Sequence, residues 1–188
     1  MASNPIALYD SCVLYSAPLR DLLMQLALTD LFQARWTDEI HDEWIRNVLK
    51  NRPDLTIQQL TRTKDLMNRY VRDCLVIGYE WIIPSLNLPD PDDRHILAAA
   101  IKAEASAIVT FNLKDFPPLI LDQYEIEAQH PDDFILDLID LNYLKVANAV
   151  TTCHQRLKNP SKSLDEYLEI LLKQGLQNTV KSLQQIYK

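Results

Sequence analysis

The sequence predicts an α/β fold, a central parallel sheet flanked by helices, with an α-helical extension at the C-terminal end. Three observations carry this. Short apolar runs alternate with stretches of helical periodicity through the first two thirds of the chain, the pattern of strands joined by crossover helices. After Pro131 no strand signal remains and helical stripes follow one another. The chain has 188 residues, 47% of them hydrophobic, which suits one core of ordinary size with a small appendage.

Ile6-Ala7-Leu8-Tyr9 is a short apolar run ending at Asp10, as a buried parallel strand would be. Leu19, Leu22, Leu23, Leu26, Ala27 and Leu31 recur at helical spacing and predict a helix over 17–32. Phe32 to Trp36 reads as a second short strand. Thr37 suits a helix N-cap, and Ile40, Trp44, Ile45, Val48 and Leu49 form the stripe of the helix it opens, which Pro53 ends. Thr56 opens another helix, with Ile57, Leu60, Met67, Val71 and Cys74 on one face. Ile82-Ile83-Pro84-Ser85 reads as a brief strand, and 88–92 as a loop rich in proline and carboxylate. The alanine-rich stretch 96–101 predicts a closely packed helix. Ala107-Ile108-Val109-Thr110-Phe111 is a strong buried strand, and Glu125-Ile126-Glu127-Ala128 a weaker last one. Helices follow over 131–141, 144–157, 164–174 and 176–187, joined near Asn159-Pro160 and Gly175. The expected boundary divides 1–130 from 131–188.

Composition excludes several chemistries. Gly78 and Gly175 are the only glycines and lie far apart, so no standard phosphate-binding loop, dinucleotide turn or serine nucleophile elbow is present. Cys12, Cys74 and Cys153 are too scattered for a zinc knuckle or disulfide framework. His41, His95, His130 and His154 never fall within one helical turn of each other. No charged segment followed by an apolar run opens the chain, and no stretch reaches about 18 apolar residues. The expectation is a reduced cytoplasmic protein with no membrane contact.

The formal charge is −7, and all of it falls in residues 1–130, which hold 12 Lys and Arg against 19 Asp and Glu. Residues 44–72 run the other way, with seven basic residues (Arg46, Lys50, Arg52, Arg62, Lys64, Arg69 and Arg72) and two acids. Four carboxylate positions stand out. Asp10 directly follows the first strand, and in an open parallel sheet ligands bind beyond the carboxyl ends of the strands. A plain helix N-cap explains an Asp there equally well. Asp92 and Asp93 open the alanine-rich helix, where one acid would suffice as cap and two repel unless Arg94 or a cation sits near. Asp115 trails the strong strand, with Thr110 and Asn112 at the same edge. Glu43 borders the apolar face of its helix rather than the solvent face. Singly, each is an ordinary solvated acid. Together at one sheet edge they call for hard divalent cations, which take oxygen ligands and activate water in phosphodiester cleavage. The basic stretch 44–72 would then face a nucleic-acid backbone, although a solvated basic face explains its spacing as well.

These residues resemble the PIN-domain proteins, and among them the VapC-type toxins of toxin–antitoxin pairs. The resemblance rests on Ala7-Leu8-Tyr9-Asp10-Ser11-Cys12-Val13-Leu14, the Glu43 helix, Pro91-Asp92-Asp93-Arg94-His95-Ile96-Leu97-Ala98-Ala99-Ala100, and Val109-Thr110-Phe111-Asn112-Leu113-Lys114-Asp115-Phe116, in the family's order. It is best with a longer subgroup bearing a helical C-terminal region, as 131–188 provides. It implies a PIN domain over 1–130 and an Mg²⁺- or Mn²⁺-dependent endoribonuclease, with Asp10, Glu43, Asp93 and Asp115 as catalytic metal ligands. Asp92 could exchange roles with Asp93, and many members place the fourth acid near Asn112. Cys12 stands where Asn is frequent. Ser11, Asp92, Thr110 and Asn112 would be hydrogen-bonding neighbours of the site, and Arg46, Arg62, Arg69 and Arg72 would meet the RNA. A cognate antitoxin and a homodimer are the implied partners. Two alternatives remain at this point: a non-catalytic PIN-like module that docks a protein or RNA, and a receiver- or phosphatase-like domain using Asp10. Trp36, Trp44 and Trp81 read as core or crevice-wall aromatics, and His95, beside Asp93, as a packed or solvated residue, with a place facing the crevice as the alternative.

Overall fold

The computed structural model describes residues 4–187; the outermost residues of the two expected regions, 1–3 and 188, lie outside the described residues. In chain order the elements are β1 (Ile6–Tyr9), α1 (Ser11–Tyr15), α2 (Ala17–Ala27), β2 (Gln33–Arg35), α3 (Asp38–Asn51), α4 (Ile57–Tyr70), α5 (Arg94–Lys102), β3 (Ala107–Val109), α6 (Pro118–Leu121), β4 (Glu127–Gln129), α7 (Pro131–Arg156), α8 (Leu164–Lys173) and α9 (Gln177–Ile186). The four strands are parallel, in the order β2-β1-β3-β4. β1 and β3 hold the centre and are apolar on both faces, as a strand covered by helices on each side must be.

The helix starts follow capping chemistry. Thr37 accepts from the Ile40 N–H at 3.0 Å and opens α3. Thr56 and Gln59 form a reciprocal capping box at α4, and Ser163 with Glu166 does the same at α8. α9 has no cap of its own; the buried Asp132 carboxylate accepts from the Asn178 and Thr179 N–H groups at 2.9 and 2.8 Å. α7 carries one non-helical residue, Asn142, whose side-chain oxygen accepts from the Lys145 N–H at 3.1 Å and restarts the helix. The break expected between 141 and 144 is therefore a kink within one long element.

Four expectations change. The helix opened by Thr56 ends at Tyr70, so Val71 and Cys74 lie beyond it, and the Cys74 carbonyl accepts from the Trp36 N–H at 2.9 Å instead. Residues 82–85 are not a strand but the end of a 3₁₀ turn, Glu80–Ser85. Pro84 has no N–H for a ladder, and the Ser85 hydroxyl donates to the Ile82 carbonyl at 2.7 Å. α2 stops at Ala27 because the chain turns through Asp30 at φ 57°. The last strand begins at Glu127, two residues late, since Glu125 sits at φ 58° and swings the chain into the sheet.

The core is continuous across residue 130. Phe134 of α7 packs edge-on against Phe32, with ring centroids 5.0 Å apart, and against Tyr9 at 6.3 Å. α3 and α4 are locked by a buried polar chain. Trp44 donates to His41 Nδ1 at 2.9 Å, so His41 donates through Nε2 to Asn68 at 2.9 Å, and Trp36 donates to the same oxygen at 2.7 Å. Trp36 and Trp44 are thus core residues as expected, whereas Trp81 is 75% exposed.

Candidate active site

The chain leaves β1 toward β2 and leaves β3 toward β4, so the connections diverge between the two central strands. In open parallel sheets ligands bind at such a switch point, beyond the carboxyl ends of the strands. Asp10 follows β1 and Thr110 follows β3, and the Asp10 N–H donates to the Val109 carbonyl at 3.1 Å.

Asp10 occupies the N-cap position of α1, but its side chain caps nothing. Its carboxylate instead accepts from Thr110 Oγ1 at 2.7 Å, Cys12 Sγ at 3.1 Å and Ser11 Oγ at 3.3 Å. Three donors fix the orientation of a carboxylate only 3% exposed. The Cys12 thiol is pushed up to about 12 by burial and by the Asp10 charge, so it stays protonated and donates. Its sulfur also accepts from the Phe111 N–H at 3.3 Å.

Glu43 projects from α3 and lies 3.0 Å from Nε2 of the buried His95 on α5. Burial pushes Glu43 up, but the hydrogen bond and charge of His95, with Ser11 and Arg46, outweigh it and hold the carboxyl below its ordinary value. Burial pulls His95 down, but Glu43, Glu39 and Asp10 prevail and raise it. Glu39 Oε2 stands 3.6 Å from the other ring nitrogen and accepts from the Tyr79 hydroxyl at 3.1 Å. Ser11 donates to Asp10 at 3.3 Å and also helps to lower Glu43, so it acts on both acids.

Asp93 sits at the N-terminus of α5 with no capping bond. Asp90 does the local capping, accepting from the Asp92 N–H at 2.9 Å. The Asp93 carboxyl is pushed up to about 6, first by burial and then by the charges of Asp10, Asp90 and Asp115, against His95. Burial and neighbouring carboxylates both disfavour the ionised form, so they add here. Asp115 is half-buried in the 3₁₀ turn Leu113–Asp115.

Asp10 and Asp115 thus act on Asp93, Glu43 is tied to it through His95, and Ser11 and Thr110 are bonded to Asp10. Asp92 is exposed and is not among the charges that move Asp93; Asp90 takes that place. Asn112 is exposed, and its backbone N–H donates to Thr110 Oγ1 at 2.9 Å. Arg94 donates to the Pro91 carbonyl at 2.9 Å rather than to an acid. Arg46 acts on Glu43, whereas Arg62 and Arg69 are exposed along α4. Arg72 lines a cavity with Asn4, Asp30 and Gln33, at the end of the sheet where the strands begin, away from the acids. The sequence leaves His95 open between packing, solvent and the crevice; the structure buries it against Glu43, a partner the sequence does not indicate. The place of His95 two residues after Asp93, on the same buried helix as Ala98 and Ala99, was the available signal.

Among the described residues no three Asp, Glu, His or Cys side chains close into a cage for an ion. The donors these acids offer are all oxygens, which suits a hard divalent cation that keeps waters.

A family model described as the PIN domain matches residues 7–114, and one described as the VapC50 C-terminal domain matches residues 131–185. A Mycobacterium tuberculosis protein named "Putative ribonuclease VapC50" is 49% identical over 73 residues, which is 39% of this chain and 42% of that protein. The match thus spans less than half the length of that relative. No solved structure matches the chain. The parallel sheet with its acidic switch point and the match over most of the N-terminal region agree, and the chain belongs to the PIN-domain family, in the VapC-like form with a helical C-terminal region.

Proposed function

We propose that the protein is a metal-dependent endoribonuclease, the toxin of a type II toxin–antitoxin pair. The observation that carries this is the buried Asp10 carboxylate at the switch point, turned away from its own helix and held by Thr110, Cys12 and Ser11, with Asp93 raised first by burial and then by Asp10, Asp90 and Asp115. A PIN domain over 1–130 and a helical region over 131–188 are the units of this reading.

Asp10, Glu43, Asp93 and Asp115 would hold Mg²⁺ or Mn²⁺. When bound, the ion supplies Lewis-acid polarisation of a phosphate oxygen and a water of lowered pKa. Thr110, Ser11 and Cys12 keep both Asp10 oxygens aimed, so little reorganisation is needed when substrate arrives. His95 holds Glu43 ionised and in place. Arg46 lies close enough to meet a phosphate at the crevice mouth. RNA is the substrate class, and a protein antitoxin is the partner that would silence the site. A homodimer belongs to the same reading, as does the cytoplasm as its location. No helix among the described residues is long and apolar enough to cross a membrane.

The test is cleavage of a mixed RNA panel with Mg²⁺, Mn²⁺ or chelator, by the wild type and by Asp93→Asn. Metal-dependent cutting lost in the variant is expected. The open arrangement of the acids favours a second reading, a non-catalytic module that docks a protein or RNA. Folded wild-type protein that binds Mn²⁺ in no calorimetric titration and cuts nothing would replace the first reading with the second.

A further inference from the structure

A second concavity lies beside the carboxylate crevice, a cavity of about 540 Å³ formed by both sequence regions. Its walls come from α1, the α1–α2 junction, the end of α3 and the last turn of α8. Cys12 belongs to both spaces, since it lines the cavity and donates to Asp10 at 3.1 Å. The cavity therefore opens directly beside the acids.

Its charge runs against the rest of the molecule. In a chain of net charge −7, the lining holds Arg20, Arg52 and Lys173 and no Asp or Glu. Arg20 is buried in the floor, stacked over Trp44 at 4.6 Å. Arg52 is held at the rim by Asp54, through two bonds of 2.8 and 2.6 Å. Lys173 is exposed and makes no ion pair among the described residues.

Two aromatic rings stand on the same lining, Tyr15 and Phe111, each 37% exposed. Phe111 is braced rather than loose. Its N–H is bonded to Cys12 Sγ, and the His130 ring meets it edge-on at 5.1 Å. Gly175 passes so close that a Cβ there would lie 3.7 Å from the Phe111 ring. A hydrogen bond from Ser16 to Gln174 ties the end of α8 to the α1–α2 junction. The helical region is thereby fastened to the rim of the cavity.

Two half-exposed aromatic rings among cations, next to the Asp10 carboxylate through Cys12, match single-stranded nucleic acid, whose unstacked bases seek π-faces while its phosphates seek Lys and Arg. The volume lies within the range of small-ligand sites. We infer that this cavity is a nucleotide subsite for single-stranded RNA. Bases flanking the cut phosphate stack on Tyr15 and Phe111, and Lys173 and Arg52 meet the neighbouring phosphates. The C-terminal helical region thus supplies part of the substrate groove. The inference rests on the ribonuclease reading above.

The test uses the full chain and a short fluorescein-labelled single-stranded RNA of mixed sequence. Anisotropy is read in chelator at several salt concentrations, with Mn²⁺-dependent cleavage in parallel. Tyr15→Leu and Phe111→Leu each weaken binding by about 5- to 150-fold. Lys173→Ala lowers the slope of log affinity against log salt by about 0.7, and Lys173→Arg restores it. Should Phe111→Leu fail to fold, Tyr15→Leu and the surface Lys173 variants carry the test. If the folded variants bind and cut like wild type while Asp93→Asn loses cutting, the subsite is refuted, a protein segment becomes the occupant of the cavity, and the ribonuclease reading stands. If wild type cuts nothing with any metal yet these variants lose RNA binding, the subsite stands and the ribonuclease reading fails. Wild-type protein that neither cuts nor binds RNA overturns both.

Discussion

Replacing Asp93 by Asn tests the crevice electrostatics without reference to turnover. The Asp93 carboxyl is displaced from 3.8 to about 6. Each pKa unit corresponds to about 1.4 kcal/mol, so the displacement sets a ceiling of about 3 kcal/mol. Asp93 keeps substantial contact with solvent, and screening reduces the figure to about 1 kcal/mol. The sign follows from proton binding. Between pH 4 and 6 the folded protein holds this proton more often than the unfolded chain, so stability falls as pH rises through that window. Asn carries no charge and escapes the fall. In chelator at pH 7.5, Asp93→Asn should therefore melt about 2–4 °C above wild type, and the gap should close toward pH 4. Added Mn²⁺ should reverse the order. At a concentration near 100 times Kd it stabilises wild type by about 2.7 kcal/mol, while the variant gains little. Differential scanning fluorimetry across pH, with and without Mn²⁺, reads all of this. A variant that melts below wild type in chelator at pH 7.5, or answers Mn²⁺ as wild type does, would refute the reasoning.

Three further outcomes are expected. Glu43 is lowered from 4.5 and His95 raised from 6.5, so their pair contributes fully between those values and is lost as pH falls through the first folded pKa or rises through the second. His95→Ala should cost about 1.5–3 kcal/mol near pH 5.5 and flatten the pH profile of stability, and an unchanged profile in urea melts would count against the pair. Phe134→Ala should cost about 3–5 kcal/mol, and residues 1–130 alone should fail to fold; a soluble, cooperatively melting 1–130 fragment would sink this view of the shared core. Burial pushes the thiols of Cys12, Cys74 and Cys153 up to about 12, 11 and 11. None should react with Ellman's reagent at pH 8 in the native protein and all three should in denaturant, so rapid native labelling would contradict it.

Much of this was legible in the sequence because the signals are local. Ala107-Ile108-Val109 is buried whichever way it is turned, and Thr37 and Thr56 announce helix starts through their own hydroxyls. Asp10 was ambiguous between cap and ligand, and only the fold, by bringing Thr110 to its carboxylate, turns the side chain away from the helix. The shared place of Asp10, Asp93 and Asp115 is likewise a product of strand order, which spacing alone does not state. The pairing of His95 was not legible because its partner Glu43 comes from another helix. Arg72 misled because it shares a helical stripe with Arg62 and Arg69, yet the chain past Tyr70 carries it to the far end of the sheet. The 3₁₀ turn at 80–85 imitates a strand in composition, since Ile82 and Ile83 are β-branched, and only Pro84 argues otherwise.

The ring of Phe134 wedged between Tyr9 and Phe32 sets an order of events during synthesis. A ribosome adds about 5–20 residues each second, so the first strand waits for seconds with its aromatic face uncovered. No earlier segment supplies that ring, and the cap that Asp132 gives to α9 must wait longer still. Messages truncated before Phe134 should accordingly yield inert, protease-sensitive fragments, and the first strand is covered only after that ring has left the tunnel.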